Sequence, residues 1–469
     1  MENTQIKQKH PKGLWLVNIA TTLQNFYAYG IISFMILFFT AGVSEGGLGL
    51  EKGFAVEMYG WYASLGYMMS LIGGWLADKY LGLQKSIIWG TLFSCFGYLA
   101  LYFSTSELWT VLGSLGILLF AAGIGKGNIS AIVGALYERD QVTMKDAAYS
   151  LFYMAINIGS LFGPILFGLI TDQWFAQVSD GKILSYGYRY GFIAAFVLSF
   201  LQFLIFFLLA PTWLKDKGKY PVAGKGKEAK ATNKPITKID IDRMKAMAVM
   251  FVFSVLFWSA WNQTQTSFAL LTQKGVDRTI FGWTMPTPWL TSFNGFLCAT
   301  LAPVLGALWI KLGNSKRGDL SVATKMGLGM VMSGIAFAIL IVGIKSVGGD
   351  VESGKLPLMY MLITIFILTI GELFLSPIGM SMFNKLAPEK YASLAMGIWY
   401  LSFSLSNIAS GYIAKLTVKL SYLQVFTYIA IVVVIFGIIL IALKGYLEKL
   451  MHIDKLHEEA EVSHEVAND

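Results

Sequence analysis

Charge is what this chain has least of. Asp, Glu, Lys and Arg make up 14% of its 469 residues, and hydrophobic residues make up 55%. A soluble domain carries roughly 25% charge, so the composition excludes an ordinary soluble protein and points to an integral membrane protein. Cysteine is nearly absent. Cys95 and Cys298 both fall inside apolar runs, which leaves no disulfide framework. Histidine is missing from those runs altogether: His10, His452, His457 and His464 all lie outside them. No Ser/His/Asp, metal-ligand or phosphate-loop arrangement occurs at membrane depth either, so neither an intramembrane enzyme nor a metal or organic cofactor is expected. No A-x-A-like cleavage site follows the first apolar run, which Lys7, Lys9 and Lys12 precede, and it reads as a retained span.

What is present is a succession of apolar runs near the roughly 20 residues that a helix needs to cross a bilayer. About twelve are expected, near 14–40, 58–81, 85–104, 108–137, 147–174, 189–210, 244–271, 287–311, 322–346, 356–382, 391–416 and 424–446. The loops between them alternate. Lys and Arg concentrate at the N-terminus and in 78–85, 138–146, 211–243, 311–320 and 384–390, whereas 43–57, 104–107 and 347–355 are acidic or nearly uncharged. The positive-inside rule therefore predicts that both termini and the central loop are cytoplasmic. The net charge of +8 reports this topology, and no nucleic-acid partner is implied.

The central loop at 211–243 is rich in Lys, Gly and Pro and contains no apolar run, so it is expected to be a solvated linker near an anionic leaflet. It divides the spans six and six. The domains expected are an N-terminal six-helix bundle over 1–210, the linker, a C-terminal six-helix bundle over 244–446 and a polar tail over 447–469. Six plus six is the arrangement of two repeat-built halves in the major facilitator architecture, an all-α membrane fold around a central cavity.

Lys126 and Glu372 stand out against this background as ionisable groups deep inside apolar runs. Charge at such depth costs a few kcal/mol on insertion scales and marks a cavity or a partner. Lys126 lies thirteen residues before Arg139 and Glu372 thirteen before Lys385, in the fourth span of each half. At about 1.5 Å per residue, both sit roughly 20 Å from those basic residues, near the midplane. Asn157 places an amide in the fifth span, where it bonds another helix or touches a ligand. The turn from Gly73 to Gly82 joins spans two and three. Its small residues permit close helix approach, and Asp78 is assigned a structural or gating role.

Several of these segments resemble the proton-dependent oligopeptide transporter family. Phe152-Tyr153-Met154-Ala155-Ile156-Asn157-Ile158-Gly159-Ser160 resembles its fifth-helix signature. Gly125-Lys126-Gly127-Asn128-Ile129-Ser130 resembles its fourth-helix lysine motif, and Gly371-Glu372-Leu373-Phe374-Leu375-Ser376-Pro377 its tenth-helix motif. Lys385-Leu386-Ala387-Pro388 and Met396-Gly397-Ile398-Trp399 follow as in the family. Phe257-Trp258, Gln263, Val276-Asp277-Arg278, Phe281-Gly282-Trp283 and Ser292-Phe293-Asn294 agree as well. The resemblance implies a major facilitator fold and a monomeric carrier in a bacterial inner membrane. It implies that Glu372 receives the amino terminus of a peptide and Lys126 helps receive the carboxylate. Tyr29, Tyr67, Asn157, Gln263, Asn294 and Ser376 are expected to supply hydrogen bonds around such a ligand. Trp261 and Trp399 are expected to supply aromatic walls.

The chain also departs from the family. The first-helix E-x-x-E-R pattern is replaced by Thr21-Thr22-Leu23-Gln24-Asn25, and Ile32 stands where a second arginine is usual. Asn262, before Gln263, stands where the seventh helix usually carries an acid. Asn25 can hydrogen-bond but brings no charge, so the carboxylate end is weakened. Thr21, Gln24 and Asn25 do not titrate, and any proton coupling is expected to run through Glu372. Two other readings stay open, a carrier or facilitator of a different small solute and a receptor that has lost transport.

Overall fold

In lipid every backbone polar group must find its partner inside the chain, and the computed structural model meets this demand almost wholly with helices. It describes residues 10–137, 142–179, 182–221, 236–315, 318–351, 354–388 and 392–452. The first helices are α1 (Lys12–Thr40), α2 (Lys52–Leu76), α3 (Leu83–Phe103), α4 (Leu108–Ala135), α5 (Val142–Leu169) and α6 (Tyr188–Trp213). After the central loop come α7 (Lys238–Trp261), α8 (Ser267–Gly275), α9 (Trp289–Gly313), α10 (Val322–Ser346), α11 (Leu358–Leu386), α12 (Ala392–Leu416), α13 (Tyr422–Ala442) and α14 (Lys444–Met451). Among the described residues, ten helical segments are long and apolar enough to cross a membrane, with α7 and α8 counted as one. The helices α2 and α12, 25 residues each, have the length but a weaker apolar run. Short strands decorate the connections: β1 (Gln177–Ser179) with β2 (Lys182–Ser185), β3 (Val276–Asp277) with β6 (Leu356–Pro357), and β4 (Thr279–Ile280) with β5 (Trp283–Thr284).

The chain forms two compact units. The first comprises Met1–Leu50, Leu65–Gly226 and Pro286–Ser292, the second Glu51–Ser64, Lys227–Met285 and Phe293–Asp469. Within the first unit, glycines set the helix pairs. A Cβ on Gly73 of α2 would meet the carbonyl of Gly123 on α4, and one on Gly163 of α5 would meet the carbonyl of Phe26 on α1. These are backbone-on-backbone crossings that only glycine permits, as expected where helices associate without a hydrophobic driving force between them. Phe34, Phe38, Phe167, Tyr188 and Phe192 fill the space between α1, α5 and α6. The Tyr27 hydroxyl donates to Gln202 Oε1 at 2.8 Å, which satisfies a buried polar group on each of two helices.

In the second unit α10 is the central helix. Gly327 and Gly329 press it against the backbones of α13 and α11. Met250, Met326, Met330, Phe257, Leu375 and Trp399 are all buried in its core. Glu51 caps α2, its carboxylate accepting from the N–H groups of Gly53 at 2.8 Å and Phe54 at 2.9 Å. Those two donors hold its carboxyl below the ordinary 4.5. The stabilisation is therefore present above that value and fades as pH falls through the lowered one.

Three boundaries differ from the sequence reading. The loop expected to be solvated from 211 onward begins with ordered chain: α6 continues to Trp213, and the Gln84 amide donates to the carbonyls of Lys215 and Lys217, both at 2.9 Å. A strap over 214–221 is thereby folded onto the α2–α3 turn, and the remainder of the linker up to residue 235 lies outside the described residues. The tail expected from 447 begins as part of α14, whose Leu447 and Met451 are buried against the core. Eight residues are too few to be recognised as a span, and the apolar face of this short amphipathic helix emerges only against the α7 and α10 surfaces. Span seven, expected to be continuous, breaks at a 3₁₀ segment over Asn262–Gln265.

Replacing Gln84 by Ala removes both donors from a buried position, a loss of about 1–3 kcal/mol. Trypsin cleavage at Lys215, Lys217 and Lys219 is then expected to accelerate about fivefold or more, since 1.4 kcal/mol is a factor of ten in the open population. Unchanged cleavage would show that the strap is held by something other than Gln84.

Candidate functional site

The second unit gathers its polar groups where three helices are least regular. On α11, Gly371 packs against α10 so closely that a Cβ would come within 2.6 Å of the Gly329 carbonyl. The next residue is turned about 100° around the helix, and so Glu372 points away from that contact, toward α9. Thr369, three residues earlier, shares its face.

The helix α9 answers with two residues four apart. Asn294 Nδ2 donates to Thr369 Oγ1 at 2.9 Å and to Glu372 Oε2 at 3.1 Å, and the Cys298 thiol lies 3.8 Å from the same oxygen. Trp261, the last residue of α7, stands beside the carboxylate as well. Its buried indole N–H faces the carboxylate as a further donor. Oxygen Oε2 is thus held by donors from α9. A carboxylate has about four lone-pair sites, so one oriented in this way keeps acceptor capacity for a further donor, either a cationic N–H group or a proton.

The break in α7 adds a second polar layer. Asn262 Nδ2 donates to Ser406 Oγ of α12 at 3.2 Å, and Gln263 Nε2 to Ser410 Oγ at 3.1 Å. Ser267 Oγ donates to Gln263 Oε1 at 2.7 Å. The irregular backbone is possible here because it is buried in protein and its side chains supply the missing partners.

These contacts reassign two expected ligand residues. Gln263 is fully buried, and both ends of its amide are taken by α8 and α12, so it fastens the break and does not present itself to a ligand. Trp399 is 1% exposed and lies against Phe383 in the core, its ring filling the place a Cβ on Gly379 would need. It is a packing residue. Both occur in polar or aromatic-rich segments, where the sequence cannot tell a cavity wall from a helix contact.

The other expected residues lie as follows. Glu372, Asn294 and Trp261 are brought together, and Ser376 follows one turn after Glu372, half-buried. In the first unit, Asn25 is half-buried and donates to the Thr21 carbonyl at 2.9 Å, near the crossing of α1 with Gly159 of α5. Asn157 is half-buried and donates to the Tyr153 carbonyl at 3.1 Å. Tyr29 is half-buried on α1 and Tyr67 is exposed on α2. Lys126 belongs to α4, but its side chain lies outside the described residues. Asp78 is exposed on the π-helical turn Ala77–Leu81 and lines a pocket of about 270 Å³ with Asp216 and Lys217 of the strap. Thr369 and Cys298 escaped the sequence reading. Their three- and four-residue spacings from Glu372 and Asn294 were a signal, but one without meaning until α9 and α11 were known to face each other.

The sequence profile of the POT family (PTR2) matches residues 84–221 and 212–435. The chain belongs to the POT family. Related proteins span nearly its whole length. A peptide transporter of Yersinia enterocolitica, YePEPT, is 28% identical, covering 86% of this chain and 87% of its own. A di-/tripeptide transporter of Lactococcus lactis is 25% identical over 94% of this chain and 96% of its own. An uncharacterized transporter of Bacillus subtilis, YclF, is 26% identical with coverage of 94% and 95%. Among solved structures, a mutant of the peptide transporter POT in complex with alafosfalin superposes with a TM-score of 0.83 at 25% identity, covering 94% of this chain and 96% of that one. This POT-family protein therefore has the major facilitator fold of those transporters and is not an enzyme. The Glu372 cluster lies on the helix that carries the family's tenth-span motif.

Proposed function

We propose that this protein is a secondary transporter of di- and tripeptides or closely related amino-containing solutes, working by alternating access in a bacterial inner membrane with both termini cytoplasmic. The observation that carries this reading is the half-buried Glu372 carboxylate, set inside a spanning helix and oriented through Oε2 by Asn294. A primary ammonium brings three N–H donors and a positive charge to such an oxygen. A small anion would be repelled by it. The names of the relatives, peptide transporters in Yersinia and Lactococcus, support the same substrate class.

The opposite end of the ligand is expected to be held more loosely. Lys126, as far along the sequence from Arg139 as Glu372 is from Lys385, is the positive group that this reading assigns to the carboxylate, and Asn25 stands where the family usually has arginine. Proton coupling, in this reading, runs through Glu372: a protonated carboxyl releases the ammonium, and the ionised one recaptures it.

Thermal-shift titrations of the purified protein with a dipeptide, its N-acetylated form and its C-terminal amide separate the two ends. N-acetylation is expected to abolish the shift, because it removes the charge that faces Glu372. Amidation is expected to weaken it by less than tenfold. Equal shifts with free and N-acetylated peptides would overturn the assignment.

A further inference from the structure

The hairpin that follows α8 carries a residue that folding alone does not explain. Strands β4 and β5 pair with Ile280 opposite Trp283, so that Phe281 and Gly282 form a two-residue loop. Both have positive φ, 49° and 82°. A loop with two positive φ values takes Asn-Gly or Gly-Gly readily, whereas a bulky side chain at its first position is strained. Phe281 is moreover completely exposed, with Ile280 at 40% and Trp283 at 38%. The strained aromatic therefore gains no packing in return.

The root of the hairpin is the opposite. Arg278 is buried and its guanidinium donates to the Met285 carbonyl at 2.8 Å. Asp277 accepts from the Thr279 N–H at 3.0 Å, and β3 pairs with β6 at the start of α11. The tip is thus presented on a rigid base, and from Thr279 to Thr284 it carries no charge. Its base follows directly on the end of a spanning helix, since Val276 is the residue after α8. Three residues of extended chain separate Arg278 from Phe281, a reach of about 10 Å. The polar zone on each side of the hydrocarbon is about 5–7 Å deep. That reach is enough to span the zone, and an uncharged, aromatic tip matches the chemistry of the membrane–water interface, where aromatic rings are favoured.

We propose that the β4–β5 tip is an interfacial anchor, in which Phe281, with Ile280 and Trp283 beside it, enters the headgroup–acyl boundary of the bilayer and fixes the end of α8 relative to the membrane. The occupant is the lipid surface itself, with no requirement for one headgroup. The strain in the loop is the cost of directing a large ring outward.

The test uses the full chain in phosphatidylethanolamine/phosphatidylglycerol nanodiscs. A spin label at Phe281→Cys is placed in a Cys298→Ser chain, with Cys95 buried and unlabelled. The label is expected to collide several-fold more with oxygen than with a water-soluble nickel chelate. Greater collision with the chelate would overturn the proposal. So would protection from both reagents: with disulfide crosslinking between copies at position 281 the tip would be a contact between chains, and without it the tip would be covered by the chain's own protein. An unlabelled variant gives an independent reading. Phe281→Asn relieves the loop, so its melting temperature in detergent is expected to equal or exceed that of the parent, while the gain in melting temperature on transfer to nanodiscs shrinks. A lower melting temperature in detergent would show that Phe281 serves the fold and not the bilayer.

Discussion

Glu372→Gln is expected to reduce dipeptide affinity by about 30-fold or more and to abolish concentrative uptake in proteoliposomes. The amide keeps the shape of the side chain and one oxygen for Asn294 to bond. It brings no charge to an ammonium, and its NH₂ end opposes one. Removing one member of a buried, hydrogen-bonded charge pair costs about 2–5 kcal/mol, which gives the 30-fold at its lower bound. Asn294→Ala is the informative companion. It leaves the charge but removes the donor that orients it, so a smaller loss is expected, of about five- to tenfold, corresponding to roughly 1–1.4 kcal/mol for one hydrogen bond. Titration calorimetry on both variants checks the order. If Asn294→Ala equals or exceeds Glu372→Gln, the carboxylate is not the primary contact.

The second large effect concerns folding. Gly73→Ala is expected to eliminate properly folded protein, and Gly74→Ala, one residue on, to be tolerated. A Cβ on Gly73 collides with the backbone carbonyl of Gly123, while one on Gly74 has nothing within 4 Å. Overpacking costs about 1–3 kcal/mol where side chains can shift. Here the obstacle is backbone, so α2 and α4 must separate. The adjacent substitution instead gains helix propensity, up to about 1 kcal/mol. Size-exclusion profiles and thermal melts of the two variants decide it. Similar behaviour in both would mean that the α2–α4 crossing adjusts easily.

The span pattern was legible in the sequence because bilayer thickness acts on each segment separately. A run such as Leu108–Ala135 must be apolar for nearly its full length wherever its neighbours lie. Glu372 stood out for the same reason, whereas the small residues of the Gly73–Gly82 turn announced a close approach without telling Gly73 from Gly74. Gln263 and Trp399 were not correctly legible as ligand residues. Their types suit a cavity as well as a helix contact, and only the positions of Ser410 and Phe383 decide between the two. Likewise α14 and the strap after α6 have no apolar run of their own. Their order comes from Leu447, Met451 and Gln84 meeting surfaces built by distant parts of the chain.

Composition and the pattern of apolar runs alone determined that this protein is helical and membrane-spanning and that Glu372 is a costly group requiring a function; the resemblance of its motifs added that it is a carrier. Tertiary structure alone decided which side of α11 that group occupies, which oxygen Asn294 holds, and that Cys298 and Thr369 join it. The difference is physical. Insertion into lipid is a property of local sequence, paid residue by residue, whereas a hydrogen bond depends on the crossing of two helices whose residues lie 78 positions apart.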